Sequence, residues 1–355
     1  MKIALITDTH IGARNSSRIF REQMKSFLSD FLDDVKTQEI ETILHLGDFF
    51  DSRTSLSLVD IDFVMNWFIP KLNDSGAHMI VIAGNHDVYY RNTNQVNSLS
   101  ILQGCKNITI VQNDIYIHKT DNKNFVMCPW LNDENQERLL EDLAHYANND
   151  HVLCLHGEFA GMKMYKNSKL NEHGLDVKIF SKFHHVLSGH FHHPSVYGNI
   201  EYMGAAHYMN WQDYDDWRGY FLYDVLDDSY EKIINPYCPF IEITYNDDRD
   251  DLEGKIVRVI VEDEVKHSDL KDYIHSIEKQ KPVSVDVIDL TIFQEDDNVE
   301  ELNDTEESQV VSKELLDYFS EYLTQLSLDE KTVHSLEDKF SNLYELAKTK
   351  MKEIE

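Results

Sequence analysis

Aspartate, asparagine and histidine residues recur at five places in this sequence, each directly after a short apolar run. An apolar run that ends in a polar turn is typical of a buried strand, so each motif is expected at a strand end. Carboxylate and amide oxygens and imidazole nitrogens are common ligands of divalent cations, and a histidine can also donate or accept a proton. The sequence therefore predicts one convergent site from Asp8-Thr9-His10, Gly47-Asp48-Phe49-Phe50-Asp51, Gly84-Asn85-His86-Asp87, His156-Gly157-Glu158 and Gly189-His190-Phe191-His192.

The candidate ligands outnumber what one ordinary cation needs, so the sequence predicts two metal ions. The mixed nitrogen and oxygen donors, without thiolate, favour Mn²⁺, Fe or Zn²⁺ over Ca²⁺; Mn²⁺ suits a site that also binds phosphate, with Mg²⁺ or another divalent cation as the alternative. Two cations roughly 3.5 to 4 Å apart can clamp a phosphoryl group during in-line displacement. A carboxylate is the natural bridge, and Asp48 is the candidate. The seven predicted ligands are Asp8, His10, Asp48, Asn85, His156, His190 and His192.

Each motif also has an ordinary structural interpretation. An Asp two residues before a His is common by chance, and a Gly-Asp pair after a strand is often only a turn. His190 and His192 would lie on one side of an extended segment, and such a pair is more often structural or exposed. The chain uses histidine freely, and His184, His185 and His193 are interpreted as non-ligands. The two-metal hypothesis therefore rests on the coincidence of five motifs, all of ligand type.

The N-terminal part of the chain alternates between strands and helices. Apolar runs at Lys2–Thr7, Thr42–Leu46 and Met79–Ala83 predict buried strands. Between them, apolar residues at three- and four-residue spacing predict a helix from Phe20 to Val35 and a helical segment from Leu56 to Leu72 that its proline ends or kinks. Such alternation, with polar groups at strand ends, is typical of an α/β layered domain whose ligands bind at those ends.

The middle of the chain is richer in strands. Short strands are expected at residues 108–111, 115–118, 124–128, 151–155 and 183–187, and a helix at 134–148. Residues 201–203 and 220–223 are expected to close a second sheet. The predicted fold class is therefore α/β, with two facing β-sheets flanked by helices.

The composition changes after about residue 237. Strands at 256–261 and 283–290 and a helix at 268–279 predict a small α+β unit. An acidic run at 294–307 predicts a flexible linker, and two amphipathic helices follow it. We therefore expect domains at 1–236 and 237–293, a linker at 294–311 and a helical pair at 312–355. The pair either folds back as a lid or docks on a partner's helices.

The composition excludes several classes of protein. The 355 residues are 42% hydrophobic and 11% aromatic, which is enough for a sizeable core. Residues 241–355 contain 13 Lys/Arg and 32 Asp/Glu, so −19 of the −31 formal charge lies there; nucleic acid would have to contact local positive patches and bound cations. The four cysteines form no CxxC pair, which favours a reducing compartment. No signal peptide or membrane span is recognisable, so a soluble cytoplasmic protein is expected.

Taken in order, the motifs resemble the calcineurin-like metallophosphoesterase superfamily over residues 1 to about 235. Gly47-Asp48-Phe49-Phe50-Asp51, Pro129-Trp130 and the compact spacing are similar to the SbcD / meiotic recombination 11 branch of DNA repair nucleases. The Pro-Trp segment and the late Arg218-Gly219-Tyr220-Phe221 also resemble the recombination endonuclease subunits of T-even-type phages. A phage-encoded protein would act in the host cytoplasm.

The resemblance implies a role for each candidate residue. His86 would stabilise the transition state or protonate the leaving oxygen. The implied reaction is Mn²⁺-dependent hydrolysis of DNA, as a 3′–5′ exonuclease on duplex ends and an endonuclease on single strands, in double-strand-break processing, recombination and recombination-dependent replication. One metal ion would be held by Asp8, His10, Asp48 and His192, and the other by Asp48, Asn85, His156 and His190.

The resemblance also implies partners. Residues 237–293 would be a capping domain that positions DNA, and the helical pair would dock on the coiled coil of an SbcC-type ABC ATPase. The apolar helix at 56–72, with part of 93–102, would form the helical bundle of a homodimer, giving a heterotetramer of two nucleases and two ATPases. The sequence departs from the family at Asp51, where relatives often have a histidine, and no role is assigned to it.

Two other functions fit the same ligand set. A metallophosphoesterase acting on a small phosphodiester or a phosphoprotein could use these residues, although such an enzyme has no need of a C-terminal helical appendage. A non-catalytic scaffold could retain the fold, but it has no physical need for seven converging polar groups, which are costly to bury.

Overall fold

The computed structural model describes residues 1–166 and 168–291, together with isolated positions between 323 and 341. Contacts within the chain separate residues 1–295 from residues 296–355, and every element given below belongs to the first unit. The predicted linker at 294–311 and the predicted helical pair at 312–355 lie outside the described residues, apart from those isolated positions. Within the described part of the chain, no helix is both long and apolar enough to cross a membrane.

The strands of the described residues form three sheets. In chain order they are β1 (Lys2–Ile6), β2 (Thr42–His45), β3 (His78–Ile82), β4 (Ile108–Val111), β5 (Tyr116–Lys119), β6 (Asn124–Cys128), β7 (His151–His156), β8 (His185–Gly189), β9 (Ser195–Tyr197), β10 (Ile200–Tyr202), β11 (Gly219–Asp224), β12 (Ser229–Ile234), β13 (Phe240–Thr244), β14 (Ile256–Val261) and β15 (Ser284–Asp289).

Helices cover the outer faces of the sheets. A π-helical turn, Val64–Phe68, joins the second helix to the third, and short 3₁₀ segments occur at Ser98–Leu102 and Val177–Phe180. The α-helices of the described residues are α1 (Arg18–Thr37), α2 (Leu58–Phe63), α3 (Ile69–Ser75), α4 (Gln136–Tyr146) and α5 (His267–Glu278).

The first sheet has β1 near its centre. Its order is β12-β11-β1-β2-β3-β4, with β1 parallel to β2 and antiparallel to β11. Alternate side chains of β1 enter two different cores: Ala4 and Ile6 pack in the cluster that contains Phe27 of α1, whereas Ile3 and Leu5 enter the cluster shared with the second sheet. The strand is buried on both faces, which explains its continuous apolar sequence.

The second sheet faces the first across a shared apolar layer. Its order is β5-β6-β7-β8-β10-β9, with β6, β7, β8 and β10 parallel. Leu44 and Ile80 from the first sheet pack in one buried cluster with Phe125, Cys154 and Leu187 from the second. On the far side of the second sheet, leucines of α4 cover its outer face. The predicted fold class, two facing sheets flanked by helices, is confirmed.

One predicted strand lies in the other sheet. Residues 220–223 were expected to close the second sheet, but β11 pairs with β1 in the first, with Phe221 opposite Leu5. Tyr220 and Leu222 enter the outer core while Phe221 and Tyr223 enter the layer between the sheets. A strand that is apolar on both faces fits the interior of either sheet, so its sequence pattern does not identify its neighbours.

The helical segment around Pro70 continues farther than predicted. It was expected to end or kink at the proline, but α3 runs on to Ser75. Pro70 lies in the first turn of α3, directly after the π-helical turn. A proline is tolerated in a first turn because the N–H that it lacks has no partner within that helix. The prediction that the helix ends at Pro70 is therefore wrong.

A small parallel sheet, β13-β14-β15, follows the two larger ones. It has an apolar cluster that includes Ile241, Val257, Val259 and Ile277 of α5. Sequence reasoning predicted β14, α5 and β15 but missed β13, because that strand follows Pro239 directly and is short. The domain boundaries at 236 and 293 stay predictions.

A left-handed turn lies between β1 and α1. Arg14, Asn15 and Ser16 have φ values of 57°, 56° and 57°. Each non-glycine residue in this conformation costs about 1–2 kcal/mol. The turn is held at both ends, because the Ser16 N–H donates to Gly12 O at 2.8 Å and the Ser16 hydroxyl donates to Asp60 Oδ2 at 2.6 Å.

Candidate metal centre

Strand ends from both sheets bring the predicted site residues together. The C-terminal ends of β1, β2 and β3 in the first sheet lie beside those of β7 and β8 in the second, and each end leads into one of the five motifs. The residues placed there are Asp8, His10, Asp48, Asn85 and His86 from the first sheet and His156, His190 and His192 from the second; all eight are buried or partly buried.

Four of these residues have unusual backbone conformations. Asp8, His10, Asp48 and His190 have φ values of 51°, 40°, 53° and 92°. Backbone hydrogen bonds hold two of them in place: the Asp8 N–H donates to Gly47 O and the His10 N–H donates to Asp48 O, both at 3.0 Å. Strained residues held by their surroundings cluster at functional sites. The observed strain thus marks these strand ends as a site rather than as ordinary turns.

The first group of potential ligands consists of Asp8, His10 and His192. The Nε2 atoms of His10 and His192 face each other across 3.2 Å. Oδ1 of Asp8 lies 3.7 Å from His10 Nε2 and 3.9 Å from His192 Nε2. Two imidazole nitrogens that point at one another beside a carboxylate form the donor set of a divalent cation.

The second group consists of Asp48, His156 and His190, with Asn85 among them. Oδ1 of Asn85 lies 2.9 Å from His156 Nε2 and 2.8 Å from His190 Nδ1. The Nδ1–H of His156 donates to Leu46 O at 2.8 Å, which leaves Nε2 to face the group. A second hydrogen bond of this kind fixes the tautomer and orientation of a metal-ligating histidine.

Asp48 lies between the two groups. Its Oδ2 is 3.6 Å from His10 Nε2 in the first group and 3.3 Å from His156 Nε2 in the second. Its Oδ1 accepts a hydrogen bond from the His86 N–H at 2.7 Å. The position is the one that a bridging carboxylate requires.

In each group, the attraction between carboxylate and histidine charges acts against the effect of burial on the pKa values. Burial favours the neutral form of Asp8, yet the hydrogen bond to His10 and nearby histidine charges lower its pKa to about 2. Burial likewise acts to lower the pKa of His156, but the charge of Asp48 raises it to about 9. Burial lowers the pKa of His190 to about 3 and that of His192 to about 4. Each group therefore combines an ionised carboxylate with one neutral imidazole, which is available as a ligand.

His86 lies beside both groups and forms a third potential ligand group with His10 and Asp51. Its Nδ1–H donates to Asp51 O at 2.7 Å, which leaves Nε2 free, and its ring contacts that of His10 with 4.9 Å between centroids. Asp51 Oδ1 lies 3.2 Å from His10 Nδ1. Asp51 thus orients His10 from behind, a role that sequence reasoning left unassigned.

A cavity of about 380 Å³ opens onto these residues. Its volume is large enough for a nucleotide-sized group. The lining includes His10, Asp48, His86, His190 and His192 from the site, with Arg14, Tyr165 and Met209 around them.

Sequence reasoning missed the buried ion pair behind His192. Arg218 is fully buried and donates to Asp213 Oδ1 at 2.5 Å and to Asp216 Oδ2 at 3.2 Å. Oδ1 of Asp213 lies 4.0 Å from His192 Nδ1, on the side away from His10. The pair lies behind the histidine without a hydrogen bond to it, and the charges of both residues act on the ring. The sequence shows Arg218 only as part of the Arg218-Gly219-Tyr220-Phe221 segment, and nothing local indicates that it pairs with Asp213.

Asp87 supports the site from beneath. It is buried and accepts hydrogen bonds from the N–H groups of Phe49, Phe50 and Gly84. These bonds tie the loop after β2 to the loop after β3. Its place in the Gly-Asn-His-Asp motif was visible, but the sequence did not indicate what it holds.

The three histidines interpreted as non-ligands lie outside both groups. His184 contacts Asp228 at 2.8 Å, His185 contacts Glu201 at 3.5 Å, and His193 contacts Asp216 at 2.9 Å. Each is partly exposed, and none belongs to a potential metal-binding group of the described residues.

Residues 1–227 match the family of calcineurin-like phosphoesterases. Exonuclease subunit 1 of Enterobacteria phage T4 is 27% identical over 337 residues, which cover 92% of this chain and 93% of that protein. The SbcD subunit of the SbcCD nuclease of Escherichia coli is 31% identical over 87 residues, 24% of this chain and 21% of that protein. DNA double-strand break repair protein Mre11 of Sulfurisphaera tokodaii is 33% identical over 87 residues, 24% of this chain and 22% of that protein.

Proposed function

The chain belongs to the calcineurin-like phosphoesterase family, and on that premise we propose that it is a two-metal DNA nuclease. Membership confirms the resemblance predicted from the motifs and the predicted enzyme class, a hydrolase acting on phosphoric ester bonds. The proposed activities are those of a 3′–5′ exonuclease on duplex ends and an endonuclease on single strands. The proposed setting is double-strand-break processing, recombination and recombination-dependent replication.

The position of Asp48 carries the proposal. One of its oxygens lies within 3.6 Å of a histidine nitrogen in each ligand group, so a single carboxylate can serve two cations. The residues that would hold them are Asp8, His10, Asp48 and His192 for one, and Asp48, Asn85, His156 and His190 for the other. Bound there, two divalent cations, Mn²⁺ in our proposal, supply charge that stabilises a phosphodiester as it is attacked.

The protein's own groups orient the substrate and move protons. His86 presents its free Nε2 to the cavity while its Nδ1–H is held by Asp51 O. When both ring nitrogens carry a proton, Nε2–H is placed to donate a proton to the departing oxygen or to stabilise charge on the phosphate. Asp51 lies against the outer nitrogen of His10 and the Asp213–Arg218 pair lies behind His192, so charged groups are in place around the site before substrate arrives.

DNA is the proposed substrate because of the relative that spans the chain. Exonuclease subunit 1 of phage T4 aligns with 92% of the residues, and the two shorter matches are named as a nuclease and a DNA-break repair protein. Two of these relatives are named as subunits, which supports a partner for this chain as well. We propose that the partner is an SbcC-type ABC ATPase bound by residues 312–355, and that residues 237–293 help to position DNA.

The test is cleavage of end-labelled duplex and single-stranded DNA in the presence of Mn²⁺. We expect the full chain to cut DNA and His86→Ala to reduce the rate about 10²-fold or more while Mn²⁺ binding, measured by titration calorimetry, persists. Asp48→Ala should lose both cutting and most of the Mn²⁺ binding. His145→Ala, which removes an exposed histidine from α4, is the matched control and should cut normally.

The experiment separates the alternative functions. Turnover of an aryl phosphodiester without cutting of either DNA, alone or with a coexpressed ATPase, would favour a phosphoesterase of small phosphodiesters or phosphoproteins. If no substrate is turned over although the protein is folded, the remaining hypothesis is the non-catalytic scaffold. Cutting that persists in Asp48→Ala would contradict the assigned centre.

A further inference from the structure

The arginines of this acidic protein differ in whether they have a carboxylate partner. Of the nine arginines, all within the described residues, five form ion pairs with aspartate or glutamate. In a chain with 64 acidic and 33 basic side chains, an arginine readily finds such a partner. Those that lack one are Arg14, Arg21, Arg53 and Arg91, and Arg21 donates instead to Ser16 O in the left-handed turn.

The other three surround the metal centre. Arg14 lines the cavity that contains His10, Asp48 and His86. Arg53 follows Asp51 by two residues, and Arg91 follows the Gly-Asn-His-Asp motif. Burial lowers the pKa of Arg53, the charge of Asp48 acts to raise it, and the charge of Arg91 acts to lower it, so Arg53 lies within electrostatic range of both Asp48 and Arg91.

The left-handed turn fixes Arg14 at the cavity. Its Nε–H donates to Met209 O at 2.7 Å. This hydrogen bond anchors the guanidinium and leaves its terminal N–H groups available to other partners. Arg14 is the first of three consecutive residues whose backbone is strained, Arg14 to Ser16. Strain that the surroundings maintain points to a use for the residue that it positions.

Arg53 and Arg91 have no hydrogen bond or ion pair within the part of the chain that the structure describes. Arg53 is nevertheless partly buried, and an unpaired charge is costly to bury. Two exposed tyrosines, Tyr89 and Tyr90, directly precede Arg91 and contact each other with 4.8 Å between ring centroids. Unpaired guanidinium groups beside exposed aromatic rings are the combination that binds single-stranded nucleic acid, through phosphates and stacked bases.

We propose that Arg14, Arg53 and Arg91 bind backbone phosphates of a single-stranded segment whose scissile phosphate lies at the metal centre, with Tyr89 and Tyr90 stacking on its bases. The inference rests on the proposed nuclease function and adds which form of DNA enters the cavity and where it is held. It also explains how a protein of net charge −31 attracts a polyanion: three arginines at or near the cavity have no carboxylate partner to neutralise them.

The test is the salt dependence of oligonucleotide binding by the full chain, measured by fluorescence anisotropy in the His86→Ala background with Mn²⁺ present. Each of Arg14→Gln, Arg53→Gln and Arg91→Gln should weaken binding of a 12-nucleotide single strand about three- to tenfold and lower the slope of log K against log salt by about 0.7, and the triple variant by about 2. Arg14→Lys should retain the slope, because it keeps the charge.

The tyrosines give a separate readout. Tyr89→Ser with Tyr90→Ser should weaken binding about fivefold or more without changing the salt slope, because stacking releases no counterions. Arg18→Gln with Arg249→Gln, which removes two exposed and ion-paired arginines, is the matched control and should leave affinity and slope unchanged.

The outcomes distinguish this inference from the proposed function. If the wild type cuts DNA but all three arginine variants keep its salt slope, the nuclease stands and the arginine contacts are overturned. If the three variants bind single strands normally and lose only duplex binding, the single-stranded segment is overturned. If the wild type neither binds nor cuts DNA, the proposed function fails first and this inference fails with it.

Discussion

His10 and His156 carry raised pKa values while His190 and His192 carry lowered ones, so each ligand group contains one histidine that favours its proton. Burial alone would lower the pKa of His156, and the carboxylate of Asp48 raises it to about 9. In His10, burial is likewise outweighed, by the carboxylates of Asp51, Asp8 and Asp48. A divalent cation must displace these protons to bind. The two groups therefore couple metal affinity to pH.

The first prediction concerns that coupling. The pKa of His156 is about 9, so at lower pH a proton competes with the cation for this histidine. We therefore expect Mn²⁺ affinity to fall by about tenfold or more for each unit that the pH is lowered from 8.5 to 6.5. Titration calorimetry in two buffers with different ionisation enthalpies should show release of at least one proton for each two Mn²⁺ ions bound. His145→Ala should give the same slope. An affinity independent of pH would contradict the assignment of His156.

The second prediction concerns the buried pair behind His192. Arg218→Met leaves Asp213 buried without its partner, so we expect the free energy of unfolding to fall by about 3–5 kcal/mol. Urea denaturation measures the loss. Arg249→Met removes an exposed arginine paired with Asp251 and should change stability by less than about 1 kcal/mol. Equal effects of the two substitutions would show that Arg218 is not a structural support.

At the residue scale, the sequence revealed the residues that could bind a metal more readily than the residues that contact those ligands. All eight predicted site residues meet at one place, because motifs that follow parallel strands share an edge of the sheet. Asp213 and His207 were missed: neither follows a predicted strand, and each acts through a contact made only in the folded chain, Asp213 with His192 and His207 with Thr9 O. Nothing in the local sequence of such residues distinguishes them from other Asp and His residues of the chain.

At the scale of elements, the two sheets meet closely where β1, β2 and β8 end. A Cβ on Gly189, at the end of β8, would lie 2.1 Å from Thr7 Oγ1 and 2.8 Å from Asp8 Oδ2. A Cβ on Gly157, directly after β7, would meet only side-chain atoms of two leucines, Leu155 at 3.2 Å and Leu175 at 3.7 Å. The strand ends can hold the ligand groups within bonding distance because no side chain separates them there.

The third prediction follows from this contact. Gly189→Ala should lower the free energy of unfolding by about 1–3 kcal/mol or more and weaken Mn²⁺ binding, because β8 must move away from Asp8. Gly157→Ala is the matched control and should cost much less. Urea denaturation and calorimetric titration of Mn²⁺ measure the two effects. If both alanines bind Mn²⁺ like the wild type, the sheets approach less closely than described.

The order of strands was the least predictable feature of the elements. The apolar pattern identified β1, β2, β3 and most of the later strands, because a strand buried on one or both faces has apolar residues at regular positions in its local sequence. It placed Tyr220 to Tyr223 in the wrong sheet, because pairing with β1 spans more than 200 residues and leaves no local mark. The short edge strand β9 and the exposed β12 were missed because their side chains are mostly exposed.

At the scale of the whole molecule, an apolar surface lies on α2 and the turn that follows it. Leu58 is 83% exposed, and Val59 and Met65 are also exposed. Exposed apolar side chains clustered on one helical segment indicate an interaction site. This is the segment from which the family resemblance predicted a homodimer.

The fourth prediction concerns that homodimer. We expect the full chain to sediment as a dimer at micromolar concentration and Leu58→Glu with Met65→Glu to sediment as a monomer, because a charge on each of two apolar contacts opposes association. Leu226→Glu, at an exposed leucine in the turn after β11, is the control and should remain dimeric. A wild type that sediments as a monomer would contradict the predicted homodimer.

The central position of β1 also governs when the protein can fold during its synthesis. The strand leaves the ribosome before every other strand of the fold, but its antiparallel partner β11 lies at residues 219–224. At roughly 5–20 residues per second, translation of that interval takes roughly 10 to 40 seconds. Throughout that time one edge of β1 has no native partner, and Asp8 and His10 have no His190 or His192 beside them. The centre is therefore completed only after His192 has emerged, and a nascent chain that stalls before β11 exposes an apolar strand edge to chaperones and proteases.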